Sequence, residues 1–308
     1  MKLSSANINV MVKVCRKAAK ILIRDFGEIE NLQVSIKGPG DFVTASDKKV
    51  EKILIDELQK ARPDYSILSE EIGEIENLQV SLKGPGNFVT ASDIKVEKIL
   101  VEELQKARPT YSILSEEIGE INNDESFKWI IDPIDGTSNF LHGIPHFAIS
   151  IGLEHDKEII CGIIYDPIKD EMFTAEKGNG AYVNNKRMRV SSRSKLKDCI
   201  IFTGGPRQNP KDKELFFVEY KNFSSIVKTP IRKMGSASLD MAYVAAGRCD
   251  GFWQRNLNYW DYAAGIIIVK EAGGFVTDFK GNNEYIENET ILVTNSRIND
   301  EMVEVLKQ

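Results

Sequence analysis

Apolar and polar residues alternate along this chain with two different periods, and the switches between them mark the elements. In the opening stretch "NVMVKVCRKAAKILIRDF", Met11, Val14, Cys15, Ala18 and Leu22 recur three or four positions apart, which gathers them on one helical face. The stretch is basic and amphipathic, but a cleaved leader would need an unbroken apolar block and a small-residue cleavage site, so it predicts a first helix packed on the core. Next, "LQVSIKGPGDFVTASD" joins two β-rich runs across Gly-Pro-Gly and reads as a hairpin. In "SDKKVEKILIDELQKARP" a serine or aspartate can cap a helix whose apolar face is Val50, Ile53, Leu54, Ile55 and Leu58, and Pro63 stops it. A short strand, "YSILSEE", closes the unit.

That unit is written twice. Residues 27–72 are followed at once by 73–118, and a shift of 46 positions leaves 40 identities. The six differences are Ile36/Leu82, Asp41/Asn87, Lys48/Ile94, Ile55/Val101, Asp56/Glu102 and Asp64/Thr110. A solenoid needs roughly three or more repeats to bury a continuous core, so two units read as one extra copy inside a globular fold.

Beyond the repeat, "FKWIIDPIDGTSNF" predicts a buried strand running into a turn and a helix start. Residues 146–189 continue as strands and turns. The pattern then alternates strand and helix: "CIIFTGG", a helix around 214–220, the helix "SASLDMAYVAAG", the strand "GFWQ", the helix "DYAAGIIIVKEAGG", the strands "FVTDF" and "ILVTN", and a last helix "INDEMVEVLKQ". The expected division is an N-terminal α+β half over 1–190, containing the tandem copies 27–72 and 73–118 with one of them looped out, and a C-terminal α/β half over 191–308.

Composition narrows the function. With 42% apolar and 28% charged residues the 308-residue chain is ordinary for a soluble protein, and no stretch is apolar enough to cross a membrane. A net charge of −6 argues against nucleic-acid binding through the phosphate backbone. The four cysteines, Cys15, Cys161, Cys199 and Cys249, share no paired spacing and read as reduced core residues of a cytoplasmic protein. His142, His146 and His155 lack metal-ligand spacing and read as structural or surface groups.

The densest chemical signal is "DPIDGT". Two carboxylates bent around Pro133 at a strand's end, Asp132 and Asp135, can aim at one point, and a hard cation such as Mg²⁺ relieves their repulsion. The Ile134 carbonyl can add an oxygen. Gly136 lets the chain approach a ligand closely, and Thr137 and Ser138 open a helix whose free amides attract an anion. The bland alternative is an Asp-Pro turn with Asp135 or Thr137 as a plain cap. "WDYAAG" places Asp261 before a helix, where a cap is the commoner role, and "SEE" ends a strand with carboxylates that by themselves mark a surface turn. Taken together, such strand-end carboxylates on separate segments form the set that a two-metal or three-metal phosphoryl hydrolase needs. The chain has no P-loop, no GxSxG and no dinucleotide-binding glycine fingerprint.

These residues, in this order, resemble the inositol monophosphatase family of Mg²⁺-dependent phosphatases, the bacterial members most of all. The resemblance runs through "KGPGDFVTASDKKVEKIL", "ILSEE", "WIIDPIDGTSNFLHGIPHFAISIGL", "GSASLDMAYVAAGRCDGFW" and "WDYAAGIIIVKEAGG". It implies a layered α-β-α-β-α sandwich of the inositol monophosphatase and fructose bisphosphatase type, usually a homodimer, acting on a small phosphate ester with two or three Mg²⁺ ions. Carried over by position, the metal ligands are the first glutamate of "SEE" (Glu70 or Glu116), Asp132, the Ile134 carbonyl, Asp135 and Asp261. The amides of Gly136 and Thr137 would hold phosphate, Ser236, Gln254 and Asp261 would serve the substrate, and the aspartate of "VTASD" (Asp47 or Asp93) with Thr137 would orient a metal-activated water for in-line attack. Gln254 departs from the glutamate that inositol-hydrolysing members carry seven residues before the equivalent of Asp261, which leaves other esters open: sugar phosphates, nucleotide phosphates or histidinol phosphate. Arg207, Arg232, Lys233 and Arg255 are the candidates for a second-phosphate pocket. A regulatory binding protein that keeps the fold without catalysis is the alternative from another class.

Either copy, or the start of one with the end of the other, could complete the site. Glu116 lies 16 residues before Asp132 and Glu70 lies 62 before it, and lengthening one loop that much costs only about 1 kcal/mol. Asp41, Lys48 and Asp64 look the more typical of the family, and Ile94 would expose apolar surface. The resemblance favours Glu116 with Lys83 and Asp93, because the 16-residue connection is of the length that family shows, and Glu70 with Lys37 and Asp47 is the alternative.

Overall fold

The computed structural model describes residues 5–28, 67–69, 73–75, 80–84, 87–123, 126–206, 210–286 and 288–307. The first helix, α1 (Ala6–Glu28), buries the predicted stripe, with Met11, Val14, Cys15, Ala18 and Leu22 each 3% exposed or less. Burying a side chain the size of Met11, Val14 or Leu22 contributes roughly 1.5–3 kcal/mol. The predicted hairpin and helix of the first copy, with Lys37 and Asp47, lie outside the described residues, as does Glu70. What is described of that copy's end is β1 (Ile67–Ser69), paired antiparallel with β2 (Gly73–Ile75) as a two-stranded ribbon.

The second copy supplies the hairpin β3 (Val80–Gly84) and β4 (Asn87–Thr90), the helix α2 (Ala91–Ala107) and the strand β5 (Ser112–Ser115). α2 packs against α1 and buries Val96, Leu100, Val101 and Leu104. β5 and β6 (Gly119–Ile121) repeat the register of β1 and β2, since Ile113 faces Ile121 as Ile67 faces Ile75. One difference separates the two ribbons: β5 also pairs, parallel, with β7 (Phe127–Asp135).

After β7 come the short helix α3 (Thr137–Leu141) and the strands β8 (Ala148–His155), β9 (Glu158–Asp166), β10 (Glu171–Glu176), β11 (Gly180–Val183) and β12 (Lys186–Arg187). They form an eight-stranded sheet in the order β12-β11-β10-β9-β8-β7-β5-β6. Side chains alternate across it as the strand period requires. Trp129, Ile131, Ile149, Ile151 and Ile163 face α1 and α2, whereas Ile130, Ala148 and Ile164 face the opposite layer.

The rest of the chain adds β13 (Ile201–Thr203), α4 (Pro210–Ile226), α5 (Ala237–Ala245), β14 (Gly251–Arg255), α6 (Tyr259–Glu271), β15 (Phe275–Thr277), β16 (Thr290–Thr294) and α7 (Asn299–Leu306). The helix expected around 214–220 thus begins earlier and runs further, and the strand expected over "FVTDF" is limited to three residues. The four strands order β13-β14-β16-β15. α5 and α6 fill the space between the two sheets, and α4 and α7 cover the far face around Trp253, Phe223 and Leu292. The result is a five-layer α-β-α-β-α sandwich.

Close approach at one point sets the height of α6. Gly152 and Gly162 face each other across β8 and β9, and a Cβ on Gly162 would stand 2.6 Å from the Ala264 carbonyl. Two glycines there let the start of α6, which carries Asp261, come down onto the sheet. All four cysteines are free and buried, and burial raises the Cys161 thiol to about 12, so they are inert core groups. Among the described residues no helix is long and apolar enough to cross a membrane.

Candidate metal and phosphate site

The site grows from the end of β7. Register with β8 slips between Asp132 and Asp135, where Pro133 has no N–H to give to the ladder. The bulge breaks strict alternation, and both carboxyl groups are buried, at 1% and 9% exposure. Asp132 Oδ1 accepts the Ile134 amide at 3.0 Å.

Asp135 is held by the start of α5. Its Oδ2 accepts the Ser236 hydroxyl at 2.5 Å, the Ser238 hydroxyl at 2.5 Å and the Ser238 amide at 2.7 Å, and Oδ1 accepts the Ala237 amide at 3.3 Å. Those donors favour the ionised form, yet burial outweighs them and leaves the carboxyl above its usual range. Ser236, expected among the substrate contacts, has its hydroxyl engaged with Asp135 and with the Leu239 amide it caps. Nothing in the reading of the sequence singled out Ser238.

The turn that follows requires glycine. Gly136 has φ 95°, in the left-handed region, and a Cβ there would sit 3.1 Å from the His146 carbonyl and 3.2 Å from that of Gly235. Thr137 Oγ1 donates to the Ile134 carbonyl at 2.9 Å and lies 3.4 Å from Asp93 Oδ1. Asp93 sits in the first turn of α2, 1% exposed. Asp261 is the third residue of α6, and its Oδ2 accepts the Asn258 amide at 2.8 Å, so it does serve as a cap.

Capping does not remove Asp261 from the cluster. The Asp132 carboxyl is pushed well above the carboxylate range, first by burial and then by the negative charges of Glu116, Asp135, Asp261 and Asp93. Four carboxylates from four separate segments therefore act on a fifth. This brings together Glu116, Asp132, Asp135, Asp261, Asp93 and Thr137, while Gln254 stands on β14 at the end of the other sheet.

Glu97 is the group that the sequence hid. It lies one turn after Asp93 on α2 and is fully buried, and its Oε1 accepts the Ser115 hydroxyl, the Glu117 amide at 2.9 Å and the Ile118 amide at 3.1 Å. It grips the chain on both sides of Glu116. The one available signal was a glutamate set among Val96, Leu100 and Val101 on an apolar face.

All donors at this site are oxygens, and a hard divalent cation relieves the repulsion among the carboxylates around Asp132. No three His, Cys, Asp or Glu side chains among the described residues close into a ready-made cage.

The model of the inositol monophosphatase family matches residues 5–85 and again 73–308. The chain belongs to the inositol monophosphatase family. The two matches overlap over residues 73–85, at the start of the second copy. Family membership supports a phosphatase. An inositol-1-monophosphatase of Mesorhizobium japonicum is 42% identical over 99% of this chain and 97% of its own length. The Nus factor SuhB of Escherichia coli is 33% identical over 98% of both chains. In fold, the crystal structure of the extragenic suppressor protein SuhB from Bartonella henselae matches with a TM-score of 0.81 at 43% identity, covering 99% of each chain.

Proposed function

We propose that the protein is a Mg²⁺-dependent phosphate monoester hydrolase whose site takes Asp93 and Glu116 from the second copy. The observation that carries this is the convergence of Glu116, Asp135, Asp261 and Asp93 on Asp132. Glu116, Asp132, Asp135, Asp261 and the Ile134 carbonyl would hold two or three Mg²⁺ ions. When bound, Mg²⁺ supplies charge neutralisation at the ester and acidifies water.

The protein's own groups do the rest. The main chain of Gly136 and Thr137, fixed by the left-handed turn, offers amides to the phosphate. A hydroxyl carries a single proton, so Thr137 donates either to the Ile134 carbonyl or to Asp93 and accepts from an attacking water with its lone pairs. Asp93 takes up the water's proton, and the water attacks in line, opposite the leaving oxygen. Ser236 and Ser238 position Asp135 through their hydrogen bonds to its carboxylate. As in the family, a homodimer is the expected assembly.

Phosphate release from a panel of monoesters, with and without Mg²⁺, tests this reading. Mg²⁺-dependent turnover that Glu116→Gln abolishes and Glu70→Gln leaves intact is the expected result, and inertness across the panel would reject it. Relatives named Nus factor SuhB favour a second reading, a regulatory protein that uses the same fold for binding. A complete carboxylate set argues for the enzyme, because a binding role alone does not require buried, mutually repelling charges.

A further inference from the structure

The last turn of α1 carries a carboxylate that the helix itself disfavours. Asp25 stands at the carbonyl end of α1, whose partial negative charge repels it, and its side chain is only 6% exposed. The ion pair with Arg24, at 2.6 Å, adds little to stability, since the Arg24 side chain is 59% exposed. Across the fold Asp25 meets α2: its Oδ2 accepts the Ser92 hydroxyl at 2.7 Å, and both residues are buried. The amide end of α2 carries partial positive charge, so the carboxylate that α1 disfavours is favoured by its neighbour.

Ser92 immediately precedes Asp93 in the first turn of α2, and Asp93 Oδ1 lies 3.4 Å from Thr137 Oγ1. A hydroxyl-to-oxygen bond ordinarily spans about 2.5–3.0 Å, so this contact has no slack. The next residue of α1 grips the other partner. The Phe26 ring packs on Phe147 and Phe140, at 5.2 and 6.1 Å between centroids, and those two rings meet edge to face at 5.1 Å. Phe140 belongs to α3, which Thr137 opens, and the Phe147 Cβ would stand 3.3 Å from a Cβ on Gly136. Consecutive residues of α1 thus hold both sides of the Asp93–Thr137 pair.

Building on the phosphatase reading, we infer that Asp25 is a positioning residue for the reaction: through Ser92 it fixes the first turn of α2, and with it the place of Asp93 opposite Thr137. In this role Asp25 acts through Asp93. It precedes both copies of the repeat and occurs once, whereas Ser92 has a twin, Ser46, in the first copy. The hydrogen bond reaches across 67 positions to the second copy, so the contact belongs to the copy that supplies Asp93.

The experiment measures Mg²⁺-dependent phosphate release from a monoester that the wild-type protein turns over, well below the Tm of each variant. Asp25→Ala and Ser92→Ala should each lower kcat about tenfold with KM within about twofold, since a small displacement of a positioned group slows chemistry without weakening ester binding. Asp25→Asn, which keeps an oxygen for the Ser92 hydroxyl, should retain most of the rate, and the double variant Asp25→Ala/Ser92→Ala should be no slower than the slower single one. Ser46→Ala should leave kcat unchanged. In an Asp93→Asn background Asp25→Ala should cost nothing further, a result that a general loosening of the fold would not give. Ser92→Ala removes one hydroxyl and leaves a strong helix former, so it carries the test if Asp25→Ala does not fold. Wild-type kcat in Ser92→Ala, an equal loss in Ser46→Ala, or a further tenfold loss on top of Asp93→Asn overturns the positioning role while leaving the phosphatase reading in place. A wild-type protein inert on every ester overturns both.

Discussion

Glu97→Gln tests how the site is held together. Three donors converge on one oxygen of Glu97: the Ser115 hydroxyl and the amides of Glu117 and Ile118. Glutamine keeps an acceptor there, so the loss is only the charge-assisted part of each bond, about half of roughly 1.5–3 kcal/mol. Part of this returns because a buried charge is removed, although the new amide must find a partner where Oε2 has none. A net loss of about 1–3 kcal/mol remains, which lowers Tm by roughly 2–5 °C for a chain of this size. Activity should fall further than stability. Glu116 sits between Ser115 and Glu117, and a shift of about 1 Å in a positioned group costs up to about a hundredfold in rate. The assays are thermal unfolding and Mg²⁺-dependent phosphate release. Glu51 occupies the same place in the first copy, and Glu51→Gln should leave kcat within about twofold. Wild-type Tm and kcat in Glu97→Gln, or an equal loss in Glu51→Gln, would refute the reasoning.

Asp135→Asn should lower kcat at least about a hundredfold, and Tm should fall by several degrees because an amide nitrogen would face donors that now converge on a carboxylate; near-normal turnover would remove Asp135 from the site. Asp93→Asn should cut kcat with KM little changed, since it touches the water and not the ester, and single-turnover kinetics would show whether chemistry is the slowed step. The Asp132 carboxyl is held above its unfolded value, so its contribution to stability is fullest below the unfolded pKa and is lost as pH rises toward the folded one. Mg²⁺ should accordingly raise Tm more at about pH 7.5 than at about pH 5.5, and the reverse order by scanning calorimetry would contradict the cluster. Chains lacking residues 27–72 or lacking 73–118 should both fold and both turn over substrate, measured by the same phosphate-release assay; an inactive chain lacking 73–118 would mean that the copies differ in function.

Parts of this structure were plain in the amino-acid order, and the reason is local. The α1 stripe from Met11 to Leu22 is a period of 3.6 with no competing signal, and the strand at Trp129–Ile131 is a continuous apolar run because both of its faces are covered. The layers follow from such faces. Asp132 and Asp135 were legible because a proline between two carboxylates at the end of an apolar strand is an odd thing to bury. Glu97 was not, because a glutamate one turn from Asp93 has the spacing of a solvated helix face, and only the fold reveals that Ser115 comes to meet it. Asp261 fell between these cases: its cap was expected, and its place beside Asp132 depends on how low α6 rides over Gly152 and Gly162.

The choice between copies was hidden for a different reason: among the described residues, the differences fall where they carry little energy. Ile94 is 56% exposed at the start of α2, so the apolar residue that argued against the second copy simply faces water, and Thr110 is exposed as well. Exposed exchanges usually change stability by less than about 0.5 kcal/mol. Val101 for Ile55 removes one methylene, and Glu102 for Asp56 sits on an exposed position. The two ribbons, β1–β2 and β5–β6, show the same indifference, since identical residues adopt the same register in both. What distinguishes the second is its distance from β7: β6 ends at Ile121 and β7 begins at Phe127, so β5 can lie parallel to β7 after one short connection. Position in the chain, rather than side-chain chemistry, thus accounts for β5 joining the sheet, and with it for Glu116 acting on Asp132.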